Sequence, residues 1–339
     1  MRRPAVRKFL RITIWGLVLT ALLFGVYVYR TVQLGRLDAQ AAILENLNPG
    51  GEFLGPEGIA FDAAGRLYVG DAASRVWRMQ PGGRPEIYAD LTRIEVGPPG
   101  PIHAGGMAFD RAGRLLVCAY GYAGGSVLRV EPGGRVELFA RDLGVANYLI
   151  VSADQTHLWV SDYRKRGRVL RYDLASAVPA RPDVVLEGFD FPNGLALGRD
   201  EATLFAAETY TGRIARVRLG TTAPAIDHLI DLKGEFATGS LDGLAFDPRD
   251  QGRRFLYVAE NIRGMFTVVD VESRPARVTK RLALALMGGR PCPASMTIRD
   301  GYLYFTDLWS CSPIRILLGF PKLHNNAYRT RVTDLGALY

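Results

Sequence analysis

Short apolar runs separated by polar turns recur from about residue 55 to residue 315, and they recur as one phrase. Gly55-Pro-Glu-Gly-Ile-Ala-Phe-Asp leads to Leu67-Tyr-Val-Gly-Asp71, and Ala104-Gly-Gly-Met-Ala-Phe-Asp leads to Leu115-Leu-Val-Cys-Ala119. Ala146-Asn-Tyr-Leu-Ile-Val-Ser leads to Leu158-Trp-Val-Ser-Asp162, and Phe191-Pro-Asn-Gly-Leu-Ala-Leu leads to Leu204-Phe-Ala-Ala-Glu208. Leu241-Asp-Gly-Leu-Ala-Phe-Asp leads to Leu256-Tyr-Val-Ala-Glu260, and a weaker copy, Pro293-Ala-Ser-Met-Thr-Ile, leads to Leu303-Tyr-Phe-Thr-Asp307. Aligned, the copies place Glu57, Gly105, Asn147, Asn193, Asp242 and Ala294 at one position, at intervals of 48, 42, 46, 49 and 52 residues. A period of roughly 40–50 residues suits a four-stranded propeller blade, and its variable length argues against a solenoid. The pattern predicts an all-β, six-bladed β-propeller.

Each repeat reads as an inner apolar strand, a turn such as Asp62-Ala-Ala-Gly-Arg66 or Asp110-Arg-Ala-Gly-Arg114, and a second strand rich in Leu, Tyr and Val. The second strand ends in an acid in five copies: Asp71, Asp162, Glu208, Glu260 and Asp307. These acids are expected to bond loops or arginines between blades, with Glu208 and Asp307 as candidates for the channel mouth. A third strand alternates charged and apolar residues, as in Arg75-Val-Trp-Arg-Met79. No stretch between 52 and 315 keeps a helical period. Residues 30–51 read as a connector with a helix over 37–47, stopped by Pro49-Gly-Gly51. Residues 328–332 are expected as the outer strand of the last blade. Which chain end closes the ring is open at this stage.

Composition changes the picture at the amino terminus. Residues 1–36 contain Arg2, Arg3, Arg7, Lys8, Arg11, Arg30 and Arg36 and no acid, so the net charge of +8 resides almost wholly there. The propeller is near neutral, and charge gives no case for nucleic-acid binding. Residues 12–29 form an apolar run free of charge, long enough at about 1.5 Å per residue to cross a bilayer core. Positive residues concentrated before it predict a cytoplasmic tail over 1–11, a transmembrane anchor over 12–29, a linker over 30–51 and an extracytoplasmic (periplasmic or extracellular) propeller over 52–339. Secretion after cleavage near Ala39-Gln-Ala41 is the alternative. Among three cysteines, a Cys292–Cys311 bridge and three unpaired thiols are both open readings.

The inner strands of a propeller line its channel, so the six aligned positions form a ring. Glu57, Asn147, Asn193 and Asp242 offer hard oxygen donors and two negative charges, a set suited to Ca²⁺ or to another divalent cation such as Zn²⁺, Mn²⁺ or Mg²⁺. The bland alternative is that they begin strands and bond local amides, Asn193-Gly and Asp242-Gly being common turn dipeptides. Tyr148, Tyr163, Tyr210 and Trp309 are expected near the mouth, as pocket lining or as packing.

These repeats resemble the senescence-marker-protein/gluconolactonase/luciferin-regenerating-enzyme family, and more broadly its strictosidine-synthase-like and paraoxonase relatives. Gly55-Pro-Glu57, Phe191-Pro-Asn-Gly194 and Leu204-Phe-Ala-Ala-Glu-Thr209 carry the resemblance, over about residues 50–315. An anchor followed by a propeller is also similar to the adipocyte plasma-membrane-associated proteins. The resemblance implies a six-bladed propeller with a divalent metal in its channel, held by Glu57, Asn147, Asn193 and Asp242. It implies metal-dependent hydrolysis of a small-molecule lactone or ester, with Asp242 as the catalytic group and His103 as the alternative base. The chain departs from the family at Gly105, where relatives carry Asn or His, and at Gly243, where the paraoxonase-like branch carries a second Asx. The last blade lacks the glutamate of strictosidine synthase, which speaks against that condensation. The competing class is a non-catalytic NHL-like propeller that binds a protein or glycan.

Overall fold

Six antiparallel sheets surround a central channel, one sheet for each repeat of the sequence phrase. The computed structural model describes residues 40–80, 82–93, 103–121, 124–221, 224–233, 239–284, 291–310 and 323–332, with Trp15, Gly16, Val18, Leu19, Thr20, Leu22, Leu23 and Gly25. The inner strands of blades 1 to 6 are Pro56–Phe61, His103–Phe109, Ala146–Val151, Pro192–Leu197, Leu241–Phe246 and Pro291–Arg299. In blades 1 to 5 the next three strands follow outward in chain order.

Every inner strand carries the same irregularity at the same place. Pairing with the second strand jumps from Pro56↔Asp71 to Ile59↔Val69 in blade 1, and from Pro192↔Glu208 to Leu195↔Ala206 in blade 4. Equivalent jumps fall at 104/107, 146/149, 241/244 and 293/296. Each is a bulge in which two inner residues oppose one outer residue, and a bulge bends the strand and re-aims a side chain. The first bulged residue is the aligned ring position. The second is Gly58, Gly106, Tyr148, Gly194, Gly243 or Ser295. Asn193-Gly194 and Asp242-Gly243 are therefore strand interiors and not turns. Their glycines answer to space: a Cβ on Gly58 would stand 2.0 Å from the Gly105 carbonyl oxygen, and one on Gly194 2.2 Å from that of Asp242. Neighbouring blades thus touch backbone to backbone at the axis.

Away from the axis, the apolar cores lie between blades and not within them. One joins Ala60, Tyr68 and Val76 of blade 1 to Met107, Val117 and Leu128 of blade 2. Another joins Leu244, Val258 and Val269 of blade 5 to Phe205, Ala207 and Ile214 of blade 4. The Asp-x-x-Gly-Arg turns form as their residues dictate: Asp62 Oδ1 accepts from the Arg66 amide at 2.9 Å, and Gly65 adopts φ +80°.

The ends of the ring differ from expectation. The segment expected to be helical over 37–47 is extended where it is described. Gln40–Ala41 pairs parallel with Arg277–Ala283 on the outside of blade 5, and Glu45–Asn46 pairs antiparallel with Leu323–Arg331. The stretch expected as the outer strand of blade 6 is its third strand, and the outermost strand comes from the amino-terminal side. Backbone hydrogen bonding offered by the open edge of blade 6 decides this, which no local propensity encodes. The Leu47 amide donates to the Ala327 carbonyl at 2.8 Å, and the fully buried Asn48 donates to the Asn325 carbonyl. Cys292 is disulfide-bonded and Cys118 is a free, buried thiol; Cys311 lies outside the described residues.

The anchor expected over 12–29 falls largely outside the described residues. Those described within it are helical, and Trp15, Val18, Leu19, Leu22 and Leu23 are exposed. No helix among the described residues is long and apolar enough to cross a membrane.

Gly58→Ala should lower stability by about 1–3 kcal/mol, the usual cost of forcing atoms into a packed site. Chemical denaturation measures it; an unchanged midpoint would refute the backbone contact at the axis.

Candidate metal centre

The bulges turn four oxygen-bearing side chains into one end of the channel. Asn147 of blade 3 reaches Glu57 of blade 1, its Nδ2 donating to Oε1 at 3.3 Å. Glu57, Asn147 and Asn193 are buried, and Asp242 keeps partial exposure. Burial first, then the charge of Glu57, push the Asp242 carboxyl well above the usual carboxylate range; bonds from Asn261 and Asn193 work the other way. The structure thus brings the four predicted donors together. Gly105 and Ala294 occupy the remaining ring positions and contribute no side-chain donor.

His103 also belongs to this site. It opens the inner strand of blade 2, and its Nε2 stands 2.7 Å from Glu57 Oε2, at ion-pair distance but outside hydrogen-bond geometry. Its ring stacks on Tyr120, with centroids 4.9 Å apart. Burial works to lower the His103 pKa, but the adjacent Glu57 carboxylate outweighs it and the net shift is upward.

Three supporting residues were not anticipated. Tyr120 donates to Glu57 Oε2 at 2.6 Å, and Asn261 donates to Asp242 Oδ2 at 3.0 Å and to the Pro293 carbonyl at 3.1 Å. Thr209 accepts from Asn193 Nδ2 at 3.3 Å and donates to the Leu241 carbonyl at 2.9 Å. All three occupy the repeat position just after the strand-end acid, or after Ala119 in blade 2. The signal was present in the aligned repeats, one letter beyond the acids.

Tyr148 takes the place that glycine holds in four copies, and its side chain crosses the channel. Its hydroxyl lies 3.4 Å from the Leu244 carbonyl and 3.3 Å from that of Met296, on blades 5 and 6. It floors the polar half. Beyond it, the other mouth widens into a funnel of about 680 Å³ whose walls include Phe61, Phe109, Leu197 and Phe246. Phe191 meets Tyr163 and Tyr210 edge to face in a separate group at the polar mouth, with Phe191–Tyr210 centroids 4.7 Å apart. The side chain of Trp309 lies outside the description.

The strand-end acids serve the scaffold. Asp71 accepts from the Trp77 indole at 2.8 Å and from Arg75, and Asp162 from the Gly144 amide and Arg168. Glu208 accepts from the Asp190 amide and Glu260 from Arg263, while Asp307 accepts from the Cys292 amide and meets His324 Nδ1 at 2.6 Å. Glu208 and Asp307 are almost fully buried, so neither offers a free group to the channel mouth.

Asn193 Oδ1 supplies the test of fit for a metal. It is buried and has no hydrogen-bond partner among the described residues, a costly condition in a protein interior. An oxygen left open beside two carboxylates and a second amide is chemically suited to a hard divalent cation. No cluster of three or more His, Cys, Asp or Glu capable of holding a metal occurs among the described residues, so the set depends on its asparagines.

Comparison with known proteins follows the same lines. A strictosidine synthase-like N-terminal family model matches residues 44–79, the stretch from the closing strand to the third strand of blade 1. The strictosidine synthase-like 10 protein of Arabidopsis thaliana is 31% identical over 199 residues, 49% of this chain and 52% of that protein, so the match spans about half the length of each. Among solved structures, a calcium-binding regucalcin of Agrobacterium tumefaciens superposes with TM-score 0.63 at 15% identity, over 86% of this chain and 95% of that one. A gluconolactonase of Xanthomonas campestris gives 0.59 at 19%, over 87% and 90%. At such identities the structural likeness speaks for the fold alone. The chain is thus similar in sequence to strictosidine synthase-like proteins and shares the six-bladed fold of gluconolactonase and regucalcin.

Proposed function

We propose that the protein is a divalent-metal-dependent hydrolase of lactones or esters, anchored in a membrane by residues 12–29 with its propeller outside the cytoplasm. The observation that carries the reading is the buried, unpartnered Asn193 Oδ1 facing a site with two carboxylates. Glu57, Asn147, Asn193 and Asp242 would hold the ion, with Ca²⁺ the first candidate for an all-oxygen set. When bound, a divalent cation supplies Lewis acidity toward a carbonyl oxygen and stabilises the oxyanion that develops on it.

The chain's own residues do the rest. Asp242 and His103 Nε2 are the two groups placed to take a proton from the attacking water, geometry being the first requirement of a general base. The same proton then goes to the leaving alkoxide as the acyl C–O bond breaks. Tyr120 and Asn261 fix the orientation of Glu57 and Asp242. Tyr148 blocks passage along the channel, so substrate enters from the ring mouth, where Tyr163, Phe191 and Tyr210 offer an apolar wall. The gluconolactonase and regucalcin likenesses support a lactone-type substrate and a metal. The disulfide at Cys292 supports an oxidising compartment. The pairing of Gln40–Ala41 with blade 5 supports an uncleaved amino terminus, because cleavage after Ala41 would remove that strand.

Calorimetric titration of the full chain in detergent with Ca²⁺, Mg²⁺, Mn²⁺ and Zn²⁺ should show binding of at least one ion. Asn193→Ala and Glu57→Gln should each weaken it by about tenfold or more, a liganding bond being worth more than about 1.4 kcal/mol. No binding at millimolar concentrations would remove the metal. Across a panel of aliphatic lactones and aryl esters, Asp242→Asn should lower kcat/KM by about a hundredfold or more. A rate indifferent to that change and to chelator would leave a non-catalytic binding propeller as the better reading.

A further inference from the structure

The residues that follow the strand-end acids form a second ring on the mouth side of the first: Ala72, Tyr120, Tyr163, Thr209, Asn261 and Leu308, with Tyr120 standing after Ala119 in the copy that lacks the acid. Three of its four polar members commit their protons to a ring carboxylate or a main-chain carbonyl. Tyr120 donates to Glu57 Oε2, Thr209 to the Leu241 carbonyl, and Asn261 to Asp242 Oδ2 and the Pro293 carbonyl. Tyr163 is the exception among the described residues. Its hydroxyl lies within hydrogen-bond reach of the Thr209 and Tyr210 side chains. Thr209 has one hydroxyl proton and gives it to Leu241, so toward Tyr163 it can only accept. The partners of Tyr163 are thus other hydroxyls, which lose little when its bond is redirected, and Tyr210 is exposed and can turn to water. The same hydroxyl overhangs the site. The charge of Asp242 reaches it, and it reaches Tyr120, the phenol that holds Glu57.

The backbone beside Tyr163 is strained in a way that aims a ring at it. Phe191 adopts φ +54°, in the left-handed region that a bulky side chain rarely enters. Two hydrogen bonds hold it there, from its own amide to the Arg164 carbonyl at 3.0 Å and from the Thr209 amide to its carbonyl at 3.2 Å. Glycine or asparagine meets that conformation at lower cost, so what Phe191 adds is its ring. The ring meets Tyr163 and Tyr210 edge to face and fixes the tilt of the Tyr163 phenol. The ring donors and their ion serve the carbonyl oxygen of a substrate. The second oxygen on which charge develops is the leaving one, and Tyr163 is the uncommitted donor on the mouth side, where substrate enters. We propose that Tyr163 contacts the substrate, its hydroxyl donating a hydrogen bond to the oxygen that leaves as the acyl C–O bond breaks, while Phe191 and Tyr210 flank the carbons attached to that oxygen. The inference rests on the hydrolase reading and names the group that attends the leaving oxygen. Burial, then the neighbouring Tyr210, hold the phenol above its ordinary pKa, so it stays protonated and acts as a donor. Tyr163 gives up no proton. The proton that the base takes from water ends on the leaving alkoxide, and the bond from Tyr163 stabilises the charge before it arrives.

The test compares the full chain in detergent with its Tyr163→Phe variant, each saturated with the ion found by calorimetry, on aliphatic lactones and on aryl esters. The variant keeps the ring and its packing and removes only the hydroxyl. An alkoxide is a poor leaving group and needs the bond, whereas a phenolate spreads its own charge. Tyr163→Phe should lower kcat on aliphatic lactones by about tenfold or more, and by clearly more than on aryl esters. A bond made only in the transition state leaves KM and metal affinity within about twofold of the parent chain, and the thermal midpoint should not move. An unchanged kcat on lactones, or equal losses on both classes, overturns the leaving-oxygen contact and leaves the hydrolase standing. Weakened metal binding in the variant overturns it in favour of a role in holding the ring donors. If the parent chain binds no ion and turns over neither class, the hydrolase reading falls and this contact with it.

Discussion

Backbone contact between neighbouring inner strands at the channel axis is the constraint from which the rest of the structure follows. At four of the six junctions the strands converge so closely that the inner strand gives up its side chain where it meets the next, with glycine at 58, 106, 194 and 243. The extra residue that makes each bulge solves a second problem at the same point. It rotates the preceding residue into the channel while the strand continues outward on the period-2 alternation its core needs. Scaffold and site are therefore one device: the glycine lets the blades close, and the residue before it becomes a ring member. Where the glycine is replaced by Tyr148, the ring side chain next to it is still presented, and the tyrosine spans the channel as its floor.

Charge is distributed by the same geometry. The strand-end acids lie at the junctions between blades, where loop amides and arginines surround them, so their burial is compensated locally. Glu57 and Asp242 face the axis, where no arginine among the described residues pairs with them. Their support among the described residues is neutral, from Tyr120, Asn147 and Asn261, with His103 in contact with Glu57. Burial and the charge of Glu57 together raise the cost of ionising Asp242. Neutral donors around paired carboxylates leave room for a bound cation to supply the missing charge, whereas the scaffold acids have no such vacancy in their electrostatics.

The two ends of the channel are chemically unlike. One end holds polar ring residues and an aromatic group, the other a funnel of mixed lining that includes Phe61, Phe246, Arg199 and Asp247. The chain enters along the outside of blades 5 and 6, adds a strand to each, and only then begins blade 1. The first of these strands, Gln40–Ala41, pairs with Leu282 and Ala283 at the ring-mouth end of the blade 5 outer strand.

Much of this was written in the linear order of residues. The repeated phrase determined six blades and their inner strands, because strand patterning and turn chemistry are local and each copy states them independently. Glu57, Asn147, Asn193 and Asp242 could be named for the same reason: equivalent positions in a closed ring must face one another. Tertiary structure alone decided the remainder. Glu45 and Asn46 form a strand only because blade 6 presents an unpaired edge, and nothing within 37–47 records that edge. The glycines after Asn193 and Asp242 read as turn formers until the carbonyl of the next blade is seen beside them. Tyr120, Thr209 and Asn261 acquire a role through contacts 16 to 63 residues away in the chain. Sequence periodicity determines which residues are equivalent; only packing of one blade against the next determines what each equivalent residue touches, because those contacts join positions whose separation along the chain carries no pattern.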